Sequence, residues 1–225
     1  MRRIFACLLC ALLLCPRASG AESPNYVALT FDDGPSGRFT RALLEGLEQR
    51  QVKATFLLCG YRLKDYPKEA KRILEDGHEI GLHGYSHDPM NKMSRRELER
   101  ELKDNLALLP SGCKPVFLRP PGGASSKTVQ DIARDMGFGI LNWSVDPRDW
   151  ATRDTWAVER EVIRKVKDGD VILLHDMTDS SVDAALNIVD SLQKEGFRFV
   201  TVSELARIRE TNIVPGRKYT HFPAE

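Results

Sequence analysis

Two pairs of side chains in this 225-residue chain combine metal-ligand and proton-transfer chemistry at short spacing. The first is Asp32-Asp33 within Thr30-Phe31-Asp32-Asp33-Gly34-Pro35, where an apolar run ends in two carboxylates and then in residues that force a turn. On extended backbone, neighbouring side chains point to opposite sides, so the two acids can take separate jobs. One can hold a metal ion while the other faces an attacking water. The second pair is His83-Gly84-Tyr85-Ser86-His87. Histidines separated by three residues lie on one side of a helical turn and can present ring nitrogens to a single ion. With one carboxylate they make a two-histidine, one-carboxylate set that leaves positions open for water and substrate, which is the layout of a catalytic site. A closed structural zinc site takes four protein ligands and more thiolate. Alone, the first pair reads as a polar turn before anything else, and the second equally as two surface histidines; their co-occurrence carries the weight. His78, in the turn before the same strand, is assigned to packing or capping.

Three further segments add groups of the right kind. Leu118-Arg119-Pro120-Pro121-Gly122-Gly123 supplies an arginine able to hold a carboxylate in a fixed orientation. Its glycines let backbone N–H approach an oxyanion. Trp143-Ser144-Val145-Asp146-Pro147-Arg148-Asp149-Trp150 offers Asp149 to orient a histidine and Trp150 as an apolar wall; Trp143 is assigned to the core, and Asp146 either caps the loop or supports the metal shell. In Leu173-Leu174-His175-Asp176, a histidine able to protonate a leaving amine or alkoxide emerges from an apolar run, and Asp176 is read as holding the loop.

The elements that must position these groups alternate along the chain. Short β-branched or aromatic runs at 27–31, 54–58, 79–82, 116–118, 139–142, 171–174 and 198–200 are separated by helical patterns at 39–50, 67–75, 94–109, 125–136, 156–166 and 181–194. Ser94 with Glu97 is a capping box, and Gly77, Gly137 and Gly196 stand just past helix ends. Alternation of this kind predicts a parallel α/β fold, and about seven units suggest a barrel or a nearly closed sheet. In such folds chemistry gathers at the C-terminal ends of the strands, and every candidate group above follows a strand.

Composition narrows the class. At 42% apolar residues the chain supports one sizeable core, and 33 basic against 32 acidic residues give no field to attract nucleic acid or an anionic membrane. Arg2-Arg3, the apolar run 4–15 and Ala18-Ser19-Gly20-Ala21 have the layout of a secretory signal peptide over residues 1–20, too short to span a bilayer stably. Its removal takes away three arginines and no acid, turning the formal charge from +1 to −2. A lipid anchor at Cys15 is the competing reading, against which Leu14 stands where a small residue is needed. Cys59 and Cys113 remain in the exported part, and parallel strands would place them at opposite ends of the sheet, beyond the roughly 7 Å reach of a disulfide.

Taken in order, Thr-Phe-Asp-Asp-Gly-Pro, His-Gly-Tyr-Ser-His, Arg-Pro-Pro-Gly-Gly, Asp-Pro-Arg-Asp-Trp and Leu-Leu-His resemble the five motifs of the polysaccharide deacetylases of carbohydrate esterase family 4, which share the nodulation-type chitooligosaccharide deacetylase domain. The resemblance runs from about Tyr26 to Leu205, and implies a distorted (β/α)7 barrel as a single catalytic domain over residues 21–225 with its core at about 26–205. By position it implies Asp32 as general base and Asp33, His83 and His87 as ligands of one divalent metal, zinc foremost, with cobalt, manganese and nickel as alternatives. Arg119 would hold the base, Asp149 orient the acid and His175 serve as that acid, while Gly122, Trp150 and Leu173 would line the acetyl site. One departure is visible: Gly122 stands where better-known members carry an aromatic residue, which opens the cleft. The implied activity is removal of acetyl groups from N-acetylated sugars of a glycan, peptidoglycan or chitooligosaccharide, by a secreted or cell-envelope monomer. An O-acetyl esterase of the xylan type, or a noncatalytic glycan-binding domain, are the alternatives.

Overall fold

A computed structural model describes residues 24–224, so the signal-peptide reading of residues 1–20 and its three cysteines lie outside the described residues. In chain order the elements are β1 (Tyr26–Asp32), α1 (Arg38–Gln49), β2 (Thr55–Leu58), α2 (Gly60–Asp65), α3 (Pro67–Glu75), β3 (Glu79–Leu82), α4 (Arg95–Leu106), β4 (Phe117–Leu118), α5 (Lys127–Met136), β5 (Gly139–Leu141), α6 (Asp149–Thr152), α7 (Thr155–Lys165), β6 (Val171–His175), α8 (Asp179–Lys194), β7 (Arg198–Phe199), α9 (Val202–Ile208) and β8 (Lys218–Tyr219). The strands run β6-β1-β2-β3-β4-β5-β8, all parallel, with β7 pairing the first residues of β1. A bridge from Val145 to Ile172 links the segment after β5 back to β6, so the sheet curls into a distorted barrel of one domain.

Period-two alternation explains what lies on each side of that sheet. Val27, Leu29 and Phe31 of β1, Phe56 and Leu58 of β2, and Ile172 and Leu174 of β6 face outward, where they share a core with Leu43, Leu44 and Leu47 of α1 and Ala184, Ala185, Ile188 and Val189 of α8. The intervening positions face inward. Ala28, Leu57, Phe117, Leu141 and Val171 meet Val202, Leu205 and Ala206 of α9, together with Tyr219 and Phe222, in an apolar plug at the N-terminal end of the barrel. A third cluster packs Leu98 and Leu102 of α4 and Val129 and Ile132 of α5 over Leu82, Leu118 and Ile140. The inward positions further along β1, β4 and β6 are Thr30 and Asp32, Arg119 and His175, and His83 follows β3 at the same end of the sheet. The alternation that builds the plug thus aims the polar groups into the barrel mouth.

The expected strands are all present within a residue or two of their predicted limits, and the Ser94–Glu97 capping box forms on both sides. Gly137 takes the left-handed cap that ends α5. Three α-helices and one strand are additional: α2 and α6 are too short for a helical period to register, α9 lies in the stretch where the barrel core was expected to end, and β8 has two residues. Cys59 is buried and Cys113 half-buried, and both are free thiols. No helix among the described residues is long and apolar enough to cross a membrane.

Candidate active site

The ladder between β1 and β6 pairs Asp32 with His175 as direct neighbours, so an acid and a base are brought side by side by sheet register. Asp32 is 3% exposed and faces Arg119, whose Nη1 donates to Asp32 Oδ1 at 2.6 Å and to Thr30 Oγ1 at 2.9 Å. The rest of the guanidinium is spent on backbone, with Nε donating to Leu141 O at 3.2 Å and Nη2 to Asn142 O at 2.9 Å. Arg119 is wholly buried, and although burial draws its pKa below the ordinary arginine value, a guanidinium stays charged in such a place. The fork therefore pins the Asp32 carboxylate in one orientation and supplies its counter-charge.

Asp33 leaves the strand in a left-handed conformation, φ 72°, followed by the cis Gly34–Pro35 bond, and turns to face His83 and His87. Its Oδ1 lies 3.3 Å from His83 Nε2 and 3.1 Å from His87 Nε2. That oxygen is buried without a hydrogen-bond partner. His83 Nδ1 donates to the Arg119 carbonyl at 2.7 Å, which fixes the tautomer and turns the Nε2 lone pair toward Asp33. The three donor atoms all lie within 4.8 Å of one another. An orphaned carboxylate oxygen and two imidazole nitrogens converging on one point, partly open to a cavity, fit a divalent cation. Burial would raise the Asp33 pKa, yet the two rings hold it far below the ordinary carboxylate range; Asp33 in turn raises His87.

The expected helical turn between the two histidines is not what aligns them. Residues 83–87 form a loop in which Gly84 has φ 84° and His87 φ 68°, so two left-handed steps bring the rings to 5.2 Å between centroids. Glu101 of α4 secures this loop by accepting from the backbone N–H of Tyr85 and of Ser86, each at 2.9 Å, and Gly60 donates to the Gly84 carbonyl.

Across the mouth, His175 Nδ1 donates to Asp149 Oδ1 at 2.8 Å while the other Asp149 oxygen accepts the His175 backbone N–H at 2.9 Å. Asp149 is buried at the start of α6. Burial would lower the His175 pKa, but Asp149 first and then Asp32 and Asp33 push it up to about 9, so the ring holds a proton at neutral pH. His175 Nε2 lies 4.0 Å from Asp33 Oδ2. These groups share a cavity of about 470 Å³ with Leu173, Gly122, Trp150, Trp143 and Asp146. Gly122 has φ 63°, and a Cβ there would meet nothing, so the cleft is open on that side.

A family model described as polysaccharide deacetylase matches residues 19–141. This chain belongs to the polysaccharide deacetylase family. A peptidoglycan-N-acetylglucosamine deacetylase of Bacillus cereus is 38% identical over 197 residues, covering 84% of this chain and 92% of that protein. A peptidoglycan-N-acetylmuramic acid deacetylase of Bacillus subtilis is 34% identical over 83% of this chain and 40% of its own length, so this chain spans two fifths of that relative. A family 4 acetyl xylan esterase of Clostridium thermocellum, solved in complex with a cobalt ion, superposes with a TM-score of 0.82 at 32% identity, covering 88% of this chain and 99% of that one. The deacetylase fold is therefore shared nearly end to end with that esterase.

All ten residues singled out from the sequence lie in or directly behind this cavity. Sequence reasoning missed Thr30 and saw only half of the role of Trp143, which packs against the core as expected and also lines the cavity. Trp143 is half-buried and lines the cavity, with the Arg119 guanidinium 5.6 Å from its ring, because it stands two positions after inward-facing Leu141. Thr30 stands two positions before Asp32, so period two was the available signal for both. Asp146 Oδ1 accepts the Arg148 N–H at 2.8 Å and is not in the metal-donor group, which leaves it the loop role. Asp176 holds the loop from below: wholly buried, it accepts from Thr40, its backbone carbonyl accepts from Ser36, and burial raises its pKa to about 7. His78 accepts the Ala54 N–H and packs edge-on to Phe56, a packing role as expected.

Proposed function

We propose that this chain is a metal-dependent hydrolase that removes acetyl groups from the N-acetylated amino sugars of a glycan, peptidoglycan or a chitooligosaccharide. The observation that carries the reading is the convergence of the Asp33, His83 and His87 donors with the Asp32–Arg119 and His175–Asp149 pairs on one cavity. A divalent ion held by those three residues would polarise the acetyl carbonyl and acidify water. Asp32, oriented by Arg119, takes the proton from the attacking water. His175, held by Asp149, gives its Nε2 proton to the nitrogen as the C–N bond breaks, leaving acetate and a free amine. Leu173 and Trp150 wall the acetyl methyl, and the backbone N–H at Gly122 stabilises the oxyanion.

Zinc is the proposed ion, with cobalt, manganese and nickel as replacements to be tested. Residues 21–225 are proposed as the catalytic domain and residues 1–20 as the export signal, placing a monomer in the cell envelope, where relatives named for peptidoglycan have their substrate. The test is acetate release from peptidoglycan, N-acetylglucosamine oligomers and acetylxylan, after chelation and metal add-back. Acetate from acetylxylan alone would replace the reading with O-acetyl esterase, which the open side at Gly122 and the esterase relative favour as the second choice. Binding without any acetate would reduce the chain to a glycan binder.

A further inference from the structure

The loop that joins His83 to His87 is clasped along both edges by groups that do not line the cavity. On its carbonyl edge, the Gly60 N–H donates to Gly84 O at 2.8 Å and the Tyr61 N–H to Tyr85 O at 3.0 Å. A Cβ on Gly60 would come within 2.9 Å of Tyr85 Cα, so only a glycine lets the start of α2 approach the loop this closely. On the N–H edge a single atom holds the loop. Glu101 Oε2 accepts from the Tyr85 and Ser86 N–H groups, each at 2.9 Å, and from Ser86 Oγ at 3.1 Å. Bonds to a carboxylate are charge-assisted and roughly twice as strong as those between neutral groups.

Helix packing decides where that carboxylate sits. Leu98 and Leu102 bury one face of α4 against Leu82, the last residue of β3 and the neighbour of His83. Glu101 and Asn105 stand one turn apart on the adjoining face. Buried Asn105 donates from Nδ2 to the Leu58 carbonyl at 3.2 Å, at the end of β2, while Glu101 reaches the loop that follows β3. The helix is thereby pinned to the ends of both strands.

The two histidines depend on the clasp unequally. His83 is 2% exposed, directly continues β3, and has its ring held by the Arg119 carbonyl. The His87 side chain is 43% exposed and its backbone is left-handed, φ 68°. Among the described residues its ring has no hydrogen-bond or ion-pair partner except Asp33. What places His87 is the path of the chain through residues 84–86, which Glu101 and the start of α2 fix.

We propose that Glu101, which lies outside the five motif segments, is a positioning residue for the metal ligand His87. The inference rests on the metal-dependent reading of the site. Without the Glu101 carboxylate the loop relaxes and the His87 ring leaves its place opposite Asp33, and divalent-ion affinity falls by about 10- to 100-fold, the ordinary effect of losing a group that orients a ligand.

The test measures cobalt(II) dissociation constants by titration of the chelated whole chain, for the native protein, Glu101→Leu and Glu101→Gln, each alone and combined with His87→Ala. Tyr85 and Ser86 are half-buried, so water can take their N–H groups and Glu101→Leu should fold. Glu101→Gln keeps an acceptor oxygen there and should show a smaller loss, which carries the same comparison if the leucine variant does not fold. In the His87→Ala background either Glu101 substitution should cost no more than about twofold, since no ring is left to position. In the ion-free protein, NMR should show the His87 ring signals displaced in Glu101→Leu while those of His83 and His175 stay in place. Native affinity in both Glu101 variants, or a loss of equal size with and without His87, overturns the assignment. A native chain that takes up no ion would sink the metal reading and this inference together. A Glu101-dependent ion with no acetate released from any glycan would sink the deacetylase reading and leave Glu101 in its role.

Discussion

The His175–Asp149 pair gives a prediction whose size can be worked from the structure. The His175 ring is largely buried, and burial alone would favour its neutral form; the Asp149 carboxylate at 2.8 Å reverses that and lifts the pKa from 6.5 to about 9. A difference of that size corresponds to roughly 3 kcal/mol of coupling between the protonated ring and its surroundings. Because the folded-state value is raised, the stabilisation is fully present below pH 6.5 and is lost as pH rises from there through about 9. In Asp149→Asn the amide cannot replace the charge, so the His175 pKa should fall from about 9 toward its ordinary value, with only the more distant Asp32 and Asp33 left to oppose burial. The assay is a histidine NMR titration of the chelated protein, where no metal charge contributes, alongside urea unfolding at pH 6 and pH 9. The unmodified chain should lose up to roughly 3 kcal/mol more than the variant between the two pH values, and with metal restored the basic limb of kcat/KM should move to lower pH in Asp149→Asn. If His175 still titrates near 9 in Asp149→Asn, then Asp149 is not what holds the proton, and the assignment of His175 as a protonated donor loses its foundation.

Other substitutions separate the remaining groups. Asp33→Ala should abolish metal binding measured by elemental analysis, whereas Asp32→Asn should keep the ion and lose on the order of 10² to 10⁴ in kcat, the ordinary contribution of a general base; an Asp32→Asn protein at full turnover would disprove that role. Arg119→Leu leaves the buried Asp32 carboxylate without its facing cation and should cost about 3–5 kcal/mol in denaturant unfolding. Arg119→Lys keeps the charge without the fork, so it should recover part of that stability and little of the activity, and full activity would show that orientation of Asp32 is immaterial. Gly34→Ala drives a Cβ to 2.5 Å from Asp176 Oδ1, and should destabilise by about 1–3 kcal/mol while weakening metal affinity through the neighbouring Asp33. Native metal affinity in that variant would uncouple Asp176 from the ligand loop.

What the sequence made legible, and what it hid, follows from the physical reach of each signal. Strand positions repeat every two residues and end in turn-forming residues, so Asp32, Arg119 and His175 could be placed at strand ends from local pattern alone. Convergence of the ligands was legible too, since parallel strands gather their C-terminal ends on one rim. The route by which His83 and His87 meet was not, because spacing does not distinguish a helical turn from a loop with left-handed Gly84 and His87. Trp143 packs against the core as its residue type suggested, but its position two residues past Leu141 also turns it into the mouth, which residue type could not show. The one-turn α6 and the two-residue β8 carry too few residues for any period to show. Their existence depends on contacts made elsewhere: α6 on Asp149 binding His175, β8 on pairing with β5.

The same division separates chemistry from specificity. Asp32, Arg119 and His175 are set by strand register and buried bonds, so moving any of them means shifting a ladder whose outward face is packed against helices. Trp150 and Gly122 sit on short turns whose side chains face open space or water, where substitutions cost little folding energy. A family built this way can hold its hydrolytic centre constant while the rim is rewritten for another chain, and relatives named for glucosamine, muramic acid and xylan on one fold are what that arrangement permits. It follows that the substrate of this chain is to be sought at its rim, at the open side by Gly122 and at the exposed Trp150. The Asp33, His83 and His87 cluster is common to the deacetylase and esterase readings and does not decide between them.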